Sequence, residues 1–125
     1  MAIDATQPYD DSNVFARILR GELPCRKVFE DEHVLAFHDI NPMAPVHILV
    51  LPKGRYVCWD DFAAKASPDE QTAFVVAIGK VARDAGLVEA GYRLLANAGA
   101  NGGQEVPHLH VHVFGGRGLG PMLAR

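Results

Sequence analysis

Apolar and polar positions recur along the chain with two different periods, and each change of period marks an element. In "DSNVFARILRGELP", Val14, Phe15, Ile18 and Leu19 fall on one helical stripe. This predicts a first helix with Asp11 or Ser12 as N-cap and Gly21 as its stop. "RKVFED" and "HVLAFHD" read as two short strands, with Glu30, Asp31 and Glu32 suited to a hairpin turn between them. In "INPMAP", Pro42 and Pro45 exclude regular helix and stiffen a loop. "VHILVLP" is rich in β-branched and aliphatic residues and reads as a central strand closed by Pro52. The second helix is announced by "SPDE": Ser67 caps, Pro68 takes the first helical position, and Glu70 closes a capping box. Phe74, Val75, Ile78, Ala82 and Ala85 form its apolar face, and Gly86 ends it. "YRLLAN" is a strand, "AGANGGQEV" a glycine-rich loop and "HLHVHVF" the last strand. The order predicts an α+β domain: a mainly antiparallel five-stranded sheet with two helices.

The last strand raises a chemical question. Three of the six histidines of the chain stand at 108, 110 and 112, alternating with Leu109, Val111 and Val113. In an extended strand, side chains at i and i+2 share a face about 6.6 Å apart. His108, His110 and His112 are therefore expected on one accessible face, with the apolar residues turned into the core. Gly99, Gly102 and Gly103 lie just upstream, where free N–H groups of a tight turn form an anion-binding nest. Asn97 adds an amide donor. Asp39 leaves a strand at the proline loop, where a carboxylate can accept two hydrogen bonds from a vicinal diol such as a ribose. Each of these has a plain structural reading by itself: Asp39 as a turn cap, His47 as a packed residue, the glycines as hairpin punctuation, and His33 and His38 as ordinary surface or strand-end residues.

Composition narrows the classes. With 125 residues and 49% apolar content the chain fits one packed domain, expected over residues 12–125 behind a flexible N-terminal arm of residues 1–11. A formal charge of −3 excludes general polycation-type affinity for nucleic acid. Cys25 and Cys58 form no CxxC, so no disulfide framework and no cysteine zinc site are expected, and reduced thiols suit a cytoplasmic location. The acidic start "MAIDATQPYDD" has no signal-peptide character, and no apolar run approaches the ~20 residues that span a bilayer.

The alternation in "HLHVHV" resembles the signature of the histidine-triad, or HIT, family. "NVFARILRGELP", "VLAFHDINPMAPVHILVLPK", "GYRLLANAGANGGQEV" and "HVFGGRGLGPML" are similar, in the same order, to the Hint branch and especially to its bacterial members. The resemblance implies a HIT-like fold whose sheet continues across a homodimer. It also implies a purine nucleoside phosphoramidase, which cleaves the P–N bond of AMP- or GMP-amine conjugates without cofactor or metal. Carried over by position, His110 matches the nucleophile, His108 and His112 its flanking partners and His47 a supporting histidine. Asp39 and Ile40 match ribose and base contacts; Asn97, Gly103, Gln104 and Glu105 match phosphate-side contacts, together with His110 and His112. Two positions depart from the pattern. Glu105 stands where animal members commonly have serine, and Pro107 where the residue is usually aromatic.

The chemistry suits a phosphoramidate, since covalent catalysis divides its hydrolysis into two easier transfers. A neutral His110 needs a fixed acceptor for its other N–H, such as a neighbouring backbone carbonyl, to select the tautomer. The proton donor to the amine is left between His108, His112 and an amine that is already protonated. Three other classes share parts of the pattern: a non-catalytic purine nucleotide-binding regulator, a metal-dependent β-barrel enzyme using the His-x-His pair, and a nucleotidyltransferase or dinucleotide hydrolase of the same family. The "GGRGLGPML" tail favours the phosphoramidase branch over the last.

Overall fold

A computed structural model of the protein describes residues 3–124; residues 1 and 2 of the expected arm, and residue 125, lie outside them. Five strands form one antiparallel sheet: β1 (Lys27–Glu30), β2 (Val34–His38), β3 (Val46–Pro52), β4 (Arg93–Leu95) and β5 (Val111–Gly115), ordered β1-β2-β3-β5-β4. The β1–β2 turn is closed by Asp31, whose Oδ1 accepts the N–H groups of His33 and Val34, both at 2.8 Å. Helix α1 spans Val14–Leu19, α2 Trp59–Lys65, α3 Pro68–Asp84 and α4 Gly99–Gly102. The α+β, antiparallel five-stranded architecture is as expected, but with four helices among the described residues rather than two.

Each difference has a local cause. The N-cap of α1 is Asn13 rather than Asp11 or Ser12, because its Oδ1 accepts the Ala16 N–H at 2.9 Å. Helix α2 has no side-chain N-cap and buries one large residue, Phe62, so its hydrophobic stripe is hard to see in sequence. Helix α3 carries the predicted capping box, with Ser67 and Glu70 bonding reciprocally. Its buried face is Phe74, Ala77, Ile78, Val81 and Ala82; Val75 is 66% exposed and does not belong to it.

The sheet is covered on both faces. Val34, Ala36, Ile48, Val50, Val111 and Val113 pack with α3 and Phe62 on one side. Leu35, Phe37, Leu49 and Leu51 pack under Phe15 of α1 on the other. Side chains along a strand alternate between faces, so His47 and His112 share the α1 side with Leu49. That cover is incomplete, and the site lies beside it.

Tyr9 and Asp11 of the expected arm make specific contacts with the domain. The Asp11 carboxylate takes a two-pronged bond from Arg55 at 2.9 and 2.8 Å, and the Tyr9 hydroxyl meets His108 Nδ1 at 2.5 Å. No helix among the described residues is long and apolar enough to cross a membrane.

Candidate active site

Beside α1 opens a cleft of about 440 Å³ whose walls include Phe15, Asp39, His47, Asn97, Gly103, Glu105, His110, His112 and Phe114. The strands supply its floor. Register pairs Leu49 with His112 and His47 with Phe114, which brings the His47 and His112 rings to 5.2 Å. His112 in turn stacks on Phe114, with ring planes 1° apart and centroids at 5.5 Å.

The backbone does not run as an extended strand through all three triad histidines. Strand β5 begins only at Val111. Before it, the Leu109 N–H donates to the Tyr56 carbonyl at 2.8 Å, and His110 Nδ1 lies 2.7 Å from the His108 carbonyl. The expected open row of three imidazoles is therefore corrected. His108 is fully buried and lies outside the cleft, His110 shows an 8% edge to it, and His112 is half-buried at its wall.

The hydrogen bonds assign the tautomers. A carbonyl only accepts, so His110 carries its proton on Nδ1, bound to the His108 carbonyl, and Nε2 holds the lone pair. This is the fixed acceptor that an aimed nucleophile needs. His47 Nδ1 accepts the Met43 N–H at 3.1 Å, which puts its proton on Nε2. That nitrogen then donates to His112 Nδ1 at 2.9 Å, leaving the His112 proton on Nε2. His108 Nε2 donates to the Pro52 carbonyl at 2.7 Å. Four neutral rings are thus each held in one tautomer.

Burial keeps them neutral. Removal from water pushes His108 and His112 down to about 4, with neighbouring imidazoles adding to the shift. The same desolvation lowers His110, opposed by its bond to the His108 carbonyl and by the charges of Asp39 and Glu105. It also lowers His47, opposed by Asp39.

Asp39 leaves β2 at the proline loop. Its Oδ1 accepts the Asn41 N–H at 2.8 Å and its Oδ2 stands 3.5 Å from His47 Nε2. Ile40 is 85% exposed and, with Asp39, borders a second depression that adjoins the cleft. Gln104 sits apart from the cleft and is buried: its amide donates to the Val57 and Val106 carbonyls at 2.7 and 3.0 Å and its oxygen accepts from Gly99 N–H at 2.9 Å. The expected nest is also modified. Residues 99–102 form the short α4 and Gly103 closes it at φ +75°, while the Gly99, Gly103 and Gln104 N–H groups are engaged internally. Met43, Phe15 and Phe114 complete the cleft without having been singled out in sequence. Phe15 stands in the sequence only as part of the apolar stripe of α1, and Phe114 follows the alternation of His110 and His112.

Asp39, His47 and His112 each offer a ligand atom within 4.8 Å of the others. Two nitrogens bound to one tetrahedral zinc stand about 3.4 Å apart, whereas His47 Nε2 and His112 Nδ1 are at 2.9 Å. That spacing suits a shared proton.

Residues 20–119 match the HIT domain family. The chain is 43% identical over 114 residues to the purine nucleoside phosphoramidase of Escherichia coli, covering 91% of this chain and 95% of that one. It is 63% identical over 117 residues to an uncharacterized 13.2 kDa HIT-like protein of Azospirillum brasilense, covering 94% and 96%. A HIT family hydrolase from Clostridium thermocellum superposes with a TM-score of 0.80 at 39% identity, covering 92% of this chain and 99% of that one. The chain belongs to the histidine-triad (HIT) domain family. The general role that accompanies this membership is that of a hydrolase.

Proposed function

We propose that this protein is a purine nucleoside phosphoramidase, a hydrolase that cleaves the P–N bond of AMP- or GMP-amine conjugates through a nucleotidyl intermediate on His110. The observation that carries the reading is the setting of that ring: Nδ1–H bound to the His108 carbonyl, and an otherwise buried imidazole edge reaching the cleft. Such a ring is neutral and aimed before substrate arrives. His110 Nε2 attacks the α-phosphorus, and the P–N bond breaks as the amine departs, its nitrogen already protonated from solvent. Water then attacks the nucleotidyl-histidine and releases the nucleoside monophosphate. The His112 proton on Nε2, fixed by His47, supplies a donor at the wall of the same cleft. Asp39 and Ile40 take the nucleoside side, and Asn97, Gly103 and Glu105 the phosphate and amine side; Gln104 acts by holding the α4 turn in place. The relative from Escherichia coli with that activity supports the substrate class.

A homodimer belongs to this reading. Strand β4 lies at the sheet edge, and beside it Trp59 and Leu94 are each 47% exposed around a shallow apolar depression. Sedimentation of the purified chain tests the dimer directly, with a monomer at micromolar concentration as the adverse result.

Adenosine 5′-phosphoramidate is the test substrate. Rapid quenching should trap an acid-labile nucleotide on the protein, lost in His110→Ala together with almost all turnover. Near-normal hydrolysis by His110→Ala would overturn the assignment. Tight nucleotide binding with no adduct and no product would instead mark a non-catalytic binding protein.

A further inference from the structure

The expected arm contributes a side chain to the triad from behind. Tyr9 lies outside the cleft, yet its hydroxyl stands 2.5 Å from His108 Nδ1 and its ring meets the imidazole edge-on with centroids at 5.5 Å. The tautomer fixes the direction of that bond. His108 Nε2 donates to the Pro52 carbonyl, so in the neutral ring Nδ1 is bare and the phenol is the donor. Burial raises the Tyr9 pKa above its ordinary value, which keeps the hydroxyl protonated.

His108 also carries, on its main chain, the carbonyl that holds His110 Nδ1–H at 2.7 Å. The nucleophile's tautomer thus depends on a residue whose ring is pinned by two bonds, one of them from Tyr9. Tyr9 is itself secured. The Arg55 guanidinium lies 5.1 Å from its ring centroid while gripping Asp11 with two bonds.

We infer that Tyr9 is a positioning residue for the reaction: through His108 it holds the carbonyl that keeps His110 in its attacking tautomer. The inference rests on the phosphoramidase reading for its kinetic consequence, but its structural half stands separately. Without the phenol donor, the buried Nδ1 has no partner and the His108 ring is free to change tautomer or tilt, carrying its carbonyl with it. Neither Tyr9 nor His108 lines the cleft, so loss of the bond should act on turnover and spare binding.

The experiment compares wild type with Tyr9→Phe, using Thr6→Val as control because that hydroxyl bonds Asp4 of the same arm. With adenosine 5′-phosphoramidate, Tyr9→Phe is expected to lower kcat about ten-fold, with KM within two-fold of wild type, while Thr6→Val matches wild type. Long-range proton–nitrogen spectra of the histidine rings supply the second readout, at a temperature where both proteins are folded. Wild type should show His108 protonated on Nε2 and His110 on Nδ1, and Tyr9→Phe should show both patterns lost or averaged. A wild-type kcat with unchanged ring spectra overturns the inference, as does a drop in melting temperature alone. If wild type cleaves no phosphoramidate, the functional reading falls, and the ring spectra alone decide whether Tyr9 governs the His110 tautomer.

Discussion

Acid titration probes how deeply the histidines are set. His108 is fully buried, and loss of hydration takes its pKa from 6.5 to about 4. Between those values the unfolded chain binds a proton that the native state refuses, so stability falls as the pH falls. The contribution is complete above 6.5 and disappears on the way down to 4. From pH 7.5 to 5.0 the loss is RT ln[(1 + 10^1.5)/(1 + 10^−1)], about 2 kcal/mol for this ring alone. His112, also held near 4 by burial and by neighbouring imidazoles, adds a loss of the same sign. The window stops at 5 because carboxylates such as Glu30, lowered to about 2 by Lys27 and Lys53, lose their contribution only as the pH falls through the ordinary carboxylate range. Against a typical stability of ~5–15 kcal/mol the histidine effect is large, and it corresponds to roughly 5–10 °C in melting temperature. Urea titrations of wild type and His108→Asn at both pH values measure it. His108→Asn should be less stable at pH 7.5 yet lose about 2 kcal/mol less on acidification. Parallel pH dependence in the two proteins would refute the reasoning.

Other outcomes follow from the same geometry. His47→Ala removes the donor that fixes the His112 tautomer and should lower kcat about ten-fold with little change in KM, as steady-state kinetics would show; a pure KM effect argues against the relay. Asp39→Ala should weaken ribonucleotide binding more than it slows the bound complex. Equal use of ribo- and 2′-deoxy substrates by wild type would count against a diol contact. Gly116→Ala places a Cβ 2.8 Å from Pro45 at φ +93°, so thermal melts should show a loss of about 1–3 kcal/mol; an unchanged melt would mean that the proline loop yields freely. Prolonged chelator treatment should leave turnover unchanged, and a loss that zinc restores would reverse the proton-sharing account of His47 and His112.

How legible each part was depended on how local its cause is. Strand β3 has the bounds expected for it, because an aliphatic run closed by Pro52 carries both its propensity and its end. The capping box of α3 is likewise written in four adjacent residues. The site was legible in its membership more than in its posture. Alternation alone spreads His108, His110 and His112 over one strand face, but the backbone before Val111 bonds to Tyr56 and folds His110 back on His108. Tyr56 is distant in sequence, and the His108 partner is a main-chain carbonyl, which side-chain alternation does not reveal. Gln104 matches a phosphate-side contact only by resemblance to the family, and its three bonds go to backbone groups. Tyr9 had no signal of its own: its partner lies 99 positions further along the chain.

The β3–β5 pairing sets Leu49 against His112 and His47 against Phe114. Were β5 to slide by a single position, His112 and Phe114 would exchange sides with the valines between them, burying imidazole in oil and breaking the His47–His112 bond. A misthreaded molecule therefore lacks the fixed His112 donor, however compact it is. Turnover per mole of protein then doubles as a census of correctly threaded chains after refolding, needing no spectroscopy.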